Sequence, residues 1–127
     1  MNKLFTNSIE LTQKSLDYLW KKQGIISENI ANQDTPGYKT KYLTFEDEFM
    51  KKVERVNHPS RENYAKAIEN TDFKLNVPKN ENVRMDENNV NTDAEYVELA
   101  RASIQYQYSI RAISDEFARI RSAIKGQ

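Results

Sequence analysis

Two apolar stripes with helical spacing, one at each end of the chain, constrain the fold more than any other feature. Near the start, Phe5, Ile9, Thr12, Leu16, Leu19, Gln23, Ile26 and Ile30 follow alternating steps of four and three, and only Thr12 and Gln23 are polar. The row Leu4, Leu11, Tyr18 and Ile25 widens this stripe, as expected for a helix with a broad buried face. Near the end, Tyr96, Leu99, Ser103, Tyr106, Ile110, Ile113, Phe117, Ile120 and Ile124 alternate three and four, with Ser103 the one polar member. That regularity has the form of a coiled-coil seam. Helices over about 4–32 and 93–125 would each run roughly 40–50 Å at ~1.5 Å per residue, so they match in length and should pair.

Both helices carry end signals. Thr92-Asp93-Ala94-Glu95 reads as a capping box, in which Thr92 bonds the Glu95 amide while Glu95 reaches back. Asp93, Glu95 and Glu98 at the start and Arg119, Arg121 and Lys125 at the end complement the helix dipole. Gly126 then stops the helix, and Ser103 is expected to allow close approach or to bond the backbone locally. In the first helix, Gly24 marks a soft point. That helix must end near Asn32, because Thr35 precedes Pro36 and is steered out of the helical region. Pro36-Gly37 then supplies a fixed φ followed by a residue free to take positive φ, as a type II turn requires.

Between the stripes, residues 57–91 hold nine asparagines and two prolines, with apolar residues scattered singly. Tyr38 to Phe45 alternates polar and apolar and suggests an extended arm leaving the turn. Phe73 to Val77 suggests an edge strand that Pro78 ends, and Asn63 to Glu69 one or two helical turns. The rest is expected to stay extended or disordered until a partner covers it. The expected fold is therefore mainly α. Two long terminal helices, residues 1–34 and 92–127, pair as a coiled-coil-like hairpin, and residues 35–91 form the turn, the arm and a polar, largely irregular central segment.

Composition excludes several functions. Nineteen basic and nineteen acidic side chains cancel, which removes the broad basic field that nucleic-acid binding needs. The absence of cysteine removes disulfides and thiolate metal sites. His58, the only histidine, has no second ligand of its kind to build a zinc set. The acid clusters Glu46-Asp47-Glu48 and Asp86-Glu87 lack the apolar surroundings that raise a carboxyl pKa. Three glycines in all give no phosphate-cradling loop. No catalytic, cofactor or metal site is expected, and no membrane-spanning stretch or signal-peptide core is evident. Two helices alone form a thin ribbon that leaves part of each stripe wet, so further partners are implied. The expected packing and interface residues are Phe5, Ile9, Leu16, Leu19, Ile26 and Ile30 with Leu99, Tyr106, Ile110, Ile113, Phe117, Ile120 and Ile124.

The string from Asn29 to Lys39 resembles the N-terminal signature of the flagellar axial proteins, the rod, hook and hook-associated components, whose pattern is close to A-N-x-x-T-P-G-Y-K/R. Ala31, Asn32, Thr35, Pro36, Gly37, Tyr38 and Lys39 match it, and Asn29 opens the same motif. The tail from Asn88 to Glu95, followed by Leu99-Ala100, Ser103-Ile104, Tyr106-Gln107 and Phe117, is similar to the flagellar basal-body rod protein family. Its proximal-rod subunits match best and a neighbouring rod subunit ranks second. Glu87 stands where that pattern has glycine.

The resemblance implies a structural subunit of the basal-body rod that polymerises through its terminal helices into a helical drive shaft. It further implies export without a cleaved signal by the flagellar type III apparatus. The implied partners are further copies, other rod proteins and the adaptor joining rod to membrane ring. A cytosolic helical adaptor or chaperone would use the same stripes to hold one partner, but it leaves the turn signature unexplained.

Overall fold

The computed structural model describes residues 2–45, 51–52, 60–77 and 90–126, with the side chains of residues 2–7, Arg61 and Tyr64 left aside. Helix α1 spans Asn2–Ala31 and helix α3 spans Thr92–Lys125. Between them lie strand β1 (Tyr42–Thr44), helix α2 (Arg61–Glu69) and strand β2 (Lys74–Asn76). The two long helices pair antiparallel. Thr92 meets Gln33, Glu95 meets Asn29, and Ser103 meets Gln23.

The polar members of the two stripes find each other. Ser103 Oγ donates to Gln23 Oε1 at 3.2 Å, and Gln23 Nε2 donates to the Leu19 carbonyl at 3.3 Å. A pair of polar side chains facing across an apolar seam fixes register, since a slip would leave both without partners. Ser103 thus bonds across the helix pair and not to its local backbone.

The start of α3 departs from the expected capping box. Asn91 is the N-cap, its side-chain oxygen accepting from the Ala94 amide at 3.3 Å. Thr92 Oγ1 instead donates to Gln33 Oε1 at 2.7 Å, and the Glu95 carboxylate accepts from Asn29. Tertiary partners take both side chains away from the local reciprocal bond. At the other end Gly126 takes φ 69° and closes the helix, as the sequence implies.

The central segment lays structure along α1. Strands β1 and β2 form an antiparallel ribbon with Leu43 opposite Leu75, as the alternating sequences around them suggest. Phe45 and Phe73, just outside the strands, close on Tyr18 with ring centroids 5.4 and 5.8 Å away. Tyr18, Leu19, Phe45 and Ala102 are the buried core, flanked by Leu11, Leu43, Phe73 and Tyr106. Helix α2 begins at Ser60, whose hydroxyl accepts from the Asn63 amide, and buries Ala67 and Ile68. Lys14 Nζ donates to the Glu69 and Thr71 carbonyls at 2.6 Å each. A cation there satisfies carbonyls that a helix end leaves open. Pro78 and the acid clusters lie outside the described residues.

Candidate functional site

The end of α1 is built by asparagine chemistry. The Asn32 amide shares the Glu28 and Asn29 carbonyls at 3.1 and 3.2 Å, and Asn32 Nδ2 donates to Glu28 O at 2.8 Å. Its side-chain oxygen accepts from the Thr35 hydroxyl and its carbonyl from the Thr35 amide, at 3.2 and 3.0 Å. The Tyr38 amide then donates to the Thr35 carbonyl at 3.2 Å, with Gly37 between them at φ 74°. This is the predicted turn, with proline first and a positive-φ glycine second. Ala31, Pro36, Gly37 and Lys39 are exposed.

Asn29, in the last turn of α1, is only 1% exposed. Its Nδ2 donates to the Lys41 carbonyl at 2.8 Å and to Glu95 Oε2 at 3.1 Å. Its Oδ1 accepts from the Lys41 amide and the Tyr38 hydroxyl, both at 3.0 Å. A primary amide has two donor hydrogens and two lone pairs, and all four are used. Beside it, Lys41 Nζ pairs with Glu28 Oε1. The hydrogen bond it donates to Glu28 holds the Lys41 ammonium above its ordinary pKa. Burial, reinforced by the Glu28 charge, raises the Tyr38 phenol, so Tyr38 remains the donor that Asn29 needs.

The stripes divide into covered and open rows. On α1, Leu19 and Ile26 are buried and Ile9, Leu16 and Ile30 are half-buried, while the side chain of Phe5 lies outside the described set. On α3, Leu99, Tyr106, Ile113 and Ile120 are half-buried. Ala102, fully buried, and Ser109 lie beside this row. Ile110, Phe117 and Ile124, three members of the other predicted row, are 41, 46 and 80% exposed. Ala102, beside the half-buried row, marks the face that α3 turns to α1, and the larger side chains of the other row lie off that face. Trp20, 68% exposed, leans on Tyr106 at 6.2 Å on that open flank. It lies two residues, about 200° of helix, from Tyr18 and the ribbon.

Among the described residues no group of three histidine, aspartate or glutamate side chains could hold a metal, and His58 lies outside them. No described helix is long and apolar enough to cross a membrane. An open groove of about 380 Å³ between α1 and α3 is lined by Ser15, Tyr18, Leu19, Phe45, Ile104, Gln105, Tyr108 and Ser109. Among the described residues it presents apolar walls and two serine hydroxyls. Sequence reasoning missed Glu95 as the partner of Asn29 and Ala102 as a fully buried core position. The pattern around 102 holds a signal for the second, since Ala102 and Ser109 are small residues one heptad apart.

The comparisons with known proteins agree with this geometry. The family model for flagella basal body rod proteins matches residues 19–39, the end of α1 and the whole turn. The flagellar basal body rod protein FlgB of Buchnera aphidicola is 31% identical over 121 residues, covering 90% of this chain and 91% of that protein. FlgB of Bacillus subtilis is 27% identical over 97% of both chains, and FlgB of Escherichia coli 28% over 86% of both. The likeness therefore runs through both helices, the turn and the central segment, and this chain belongs to the FlgB family of flagellar basal body rod proteins.

Proposed function

We infer that this chain is a structural subunit of the bacterial flagellar basal-body rod and resides in the basal body. The observation that carries the reading beyond family membership is the open row of α3. Ile110, Phe117 and Ile124 stand exposed along a helix whose adjacent row is packed on α1, and an apolar strip of that length calls for a neighbour. Heterologous contacts that do not close a ring build a helical tube. The paired ends, residues 1–34 and 92–127, form the axial core in this reading, and residues 35–91 form the part that reaches across adjacent subunits. The neighbours are other rod proteins and further copies of this chain. The adaptor to the membrane ring is a further partner, and the flagellar type III apparatus is the export route. The role needs no catalytic group or cofactor. The cytosolic adaptor reading gains no support from the relatives.

The test is fractionation of cells carrying an epitope-tagged chain in place of the native one. Tagged protein should accompany detergent-resistant basal bodies. Recovery of all of it in cytosol, in motile cells with intact basal bodies, would refute the rod assignment.

A further inference from the structure

Asn29 joins three parts of the molecule that are distant in sequence: the end of α1, the arm after the turn, and the first turns of α3. It engages both backbone polar groups of Lys41, the contacts a neighbouring strand would make, so it fixes the direction in which the arm leaves the turn. At 1% exposure water does not compete for these bonds, and each is correspondingly strong. That dry environment depends on α3. Glu95 supplies one of the four partners, and Thr92 closes onto Gln33 beside it. With α3 away, one amide hydrogen of Asn29 loses its acceptor and the others face solvent.

We propose that Glu95 couples closure of the α1–α3 hairpin to placement of the arm, so that residues 38–44 take their direction only once α3 is seated. Glu95 is a positioning residue in this scheme and acts through Asn29. Because coupling between two sites is reciprocal, the seated arm also holds the hairpin shut. The consequence for assembly rests on the rod-subunit reading above. A neighbour that covers the open row of α3 stabilises the closed hairpin, and through Glu95 and Asn29 it sets the arm of the subunit it has received. The next contact is then presented after the previous one is made.

Amide hydrogen exchange on the isolated full chain tests the coupling. Glu95→Ala should speed exchange in residues 38–44 by about tenfold or more, in line with one lost buried hydrogen bond to a charged group, with the middle of α1 and α3 unchanged. Glu95→Gln keeps an oxygen that accepts from Asn29 and should restore the arm to within about threefold of wild type. Ala102→Asp opens the hairpin two helical turns away and should release the arm together with α3. The proposal is overturned if Glu95→Ala leaves the arm protected, or if Glu95→Gln exchanges as fast as Glu95→Ala. It also fails if residues 38–44 stay protected in any chain whose α3 is open, or exchange freely in wild type while α3 is protected. These measurements need no rod, so their failure is distinct from failure of the fractionation test.

Discussion

The two ends of the helical hairpin are finished in opposite ways. At the turn end, Ile26 is 5% exposed and Asn29 1%, and the arm, the turn and the start of α3 meet in one hydrogen-bonded cluster. At the far end, Phe117 and Ile124 are 46 and 80% exposed, and no described residue outside the helices covers them. The outward row of α3 is open at both ends, with Tyr96 55% exposed beside the cluster, so the contrast lies in α1 and the arm. What differs is what the rest of the chain can reach. The turn is short enough to bring Tyr38 and Lys41 back onto α1, and the ribbon and α2 settle along its middle. One end of the hairpin is tied to the arm by the bonds of Asn29, and the other leaves Phe117 and Ile124 open.

The sharpest way to break this comparison is Phe117→Asp. The charge falls on an exposed position, so the isolated chain should lose less than about 1 kcal/mol, yet incorporation into basal bodies should fall to background and cells should be non-motile. Normal incorporation would show that the open row faces solvent in the rod. Next in size is the pair Ile26→Ala and Ile124→Ala. The first deletes buried atoms and should cost about 2–4 kcal/mol, while the second should stay within about 0.5 kcal/mol, both by chemical denaturation. Equal losses would mean that the ends do not differ in the isolated chain.

Much of the helical framework was legible in the sequence, and the reason is periodicity. The stripes placed both helices, Thr35-Pro36-Gly37 placed the turn, and the alternation around Leu43 and Leu75 placed the ribbon. The cluster around Asn29 was not legible as a cluster, although Asn29 itself belongs to the motif. Its partners Lys41 and Glu95 come from segments 12 and 66 residues away, and no local pattern links an asparagine to a distant carboxylate. The capping box misled for the same reason: Thr92 and Glu95 suit a local motif, but longer-range bonds satisfied both. Which apolar row would face outward was equally hidden, because the stripe's spacing suits either row and Ala102, outside the stripe, is the residue buried in the core.

Glycine exchange sharpens the contrast between turn and helix. Gly37 sits at φ 74°, where a β-branched side chain is strained, and Gly37→Val should cost about 1–3 kcal/mol. Gly24 lies inside α1 with nothing within 4 Å of an added Cβ, so Gly24→Ala should raise stability by about 0.4–1 kcal/mol. Opposite signs in denaturation midpoints are the expected result. A loss in both would indicate that the open flank near Gly24 is tighter than the geometry allows.

The smallest effect probes the polar cluster by alkali. The folded chain holds the Tyr38 proton more tightly than the unfolded chain, whose phenol titrates near its ordinary value of 10.0, because burial disfavours the phenolate and Glu28 repels it. The stability this contributes is complete below pH 10 and is lost as pH rises through the folded value. Lys41 acts in the same direction above its ordinary 10.5, through its hydrogen bond to Glu28, but its exposure leaves that part open to screening by salt. Tyr38→Phe should therefore lower stability at neutral pH by about 1 kcal/mol, from the bond lost to Asn29, and flatten the fall as pH rises above the ordinary phenol value of 10.0. Tyr108→Phe, at a side chain 74% exposed, should leave stability at neutral pH within about 0.5 kcal/mol of wild type. If Tyr38→Phe falls as steeply in alkali as wild type, burial does not hold the phenol's proton, and Asn29 is not sealed by the arm.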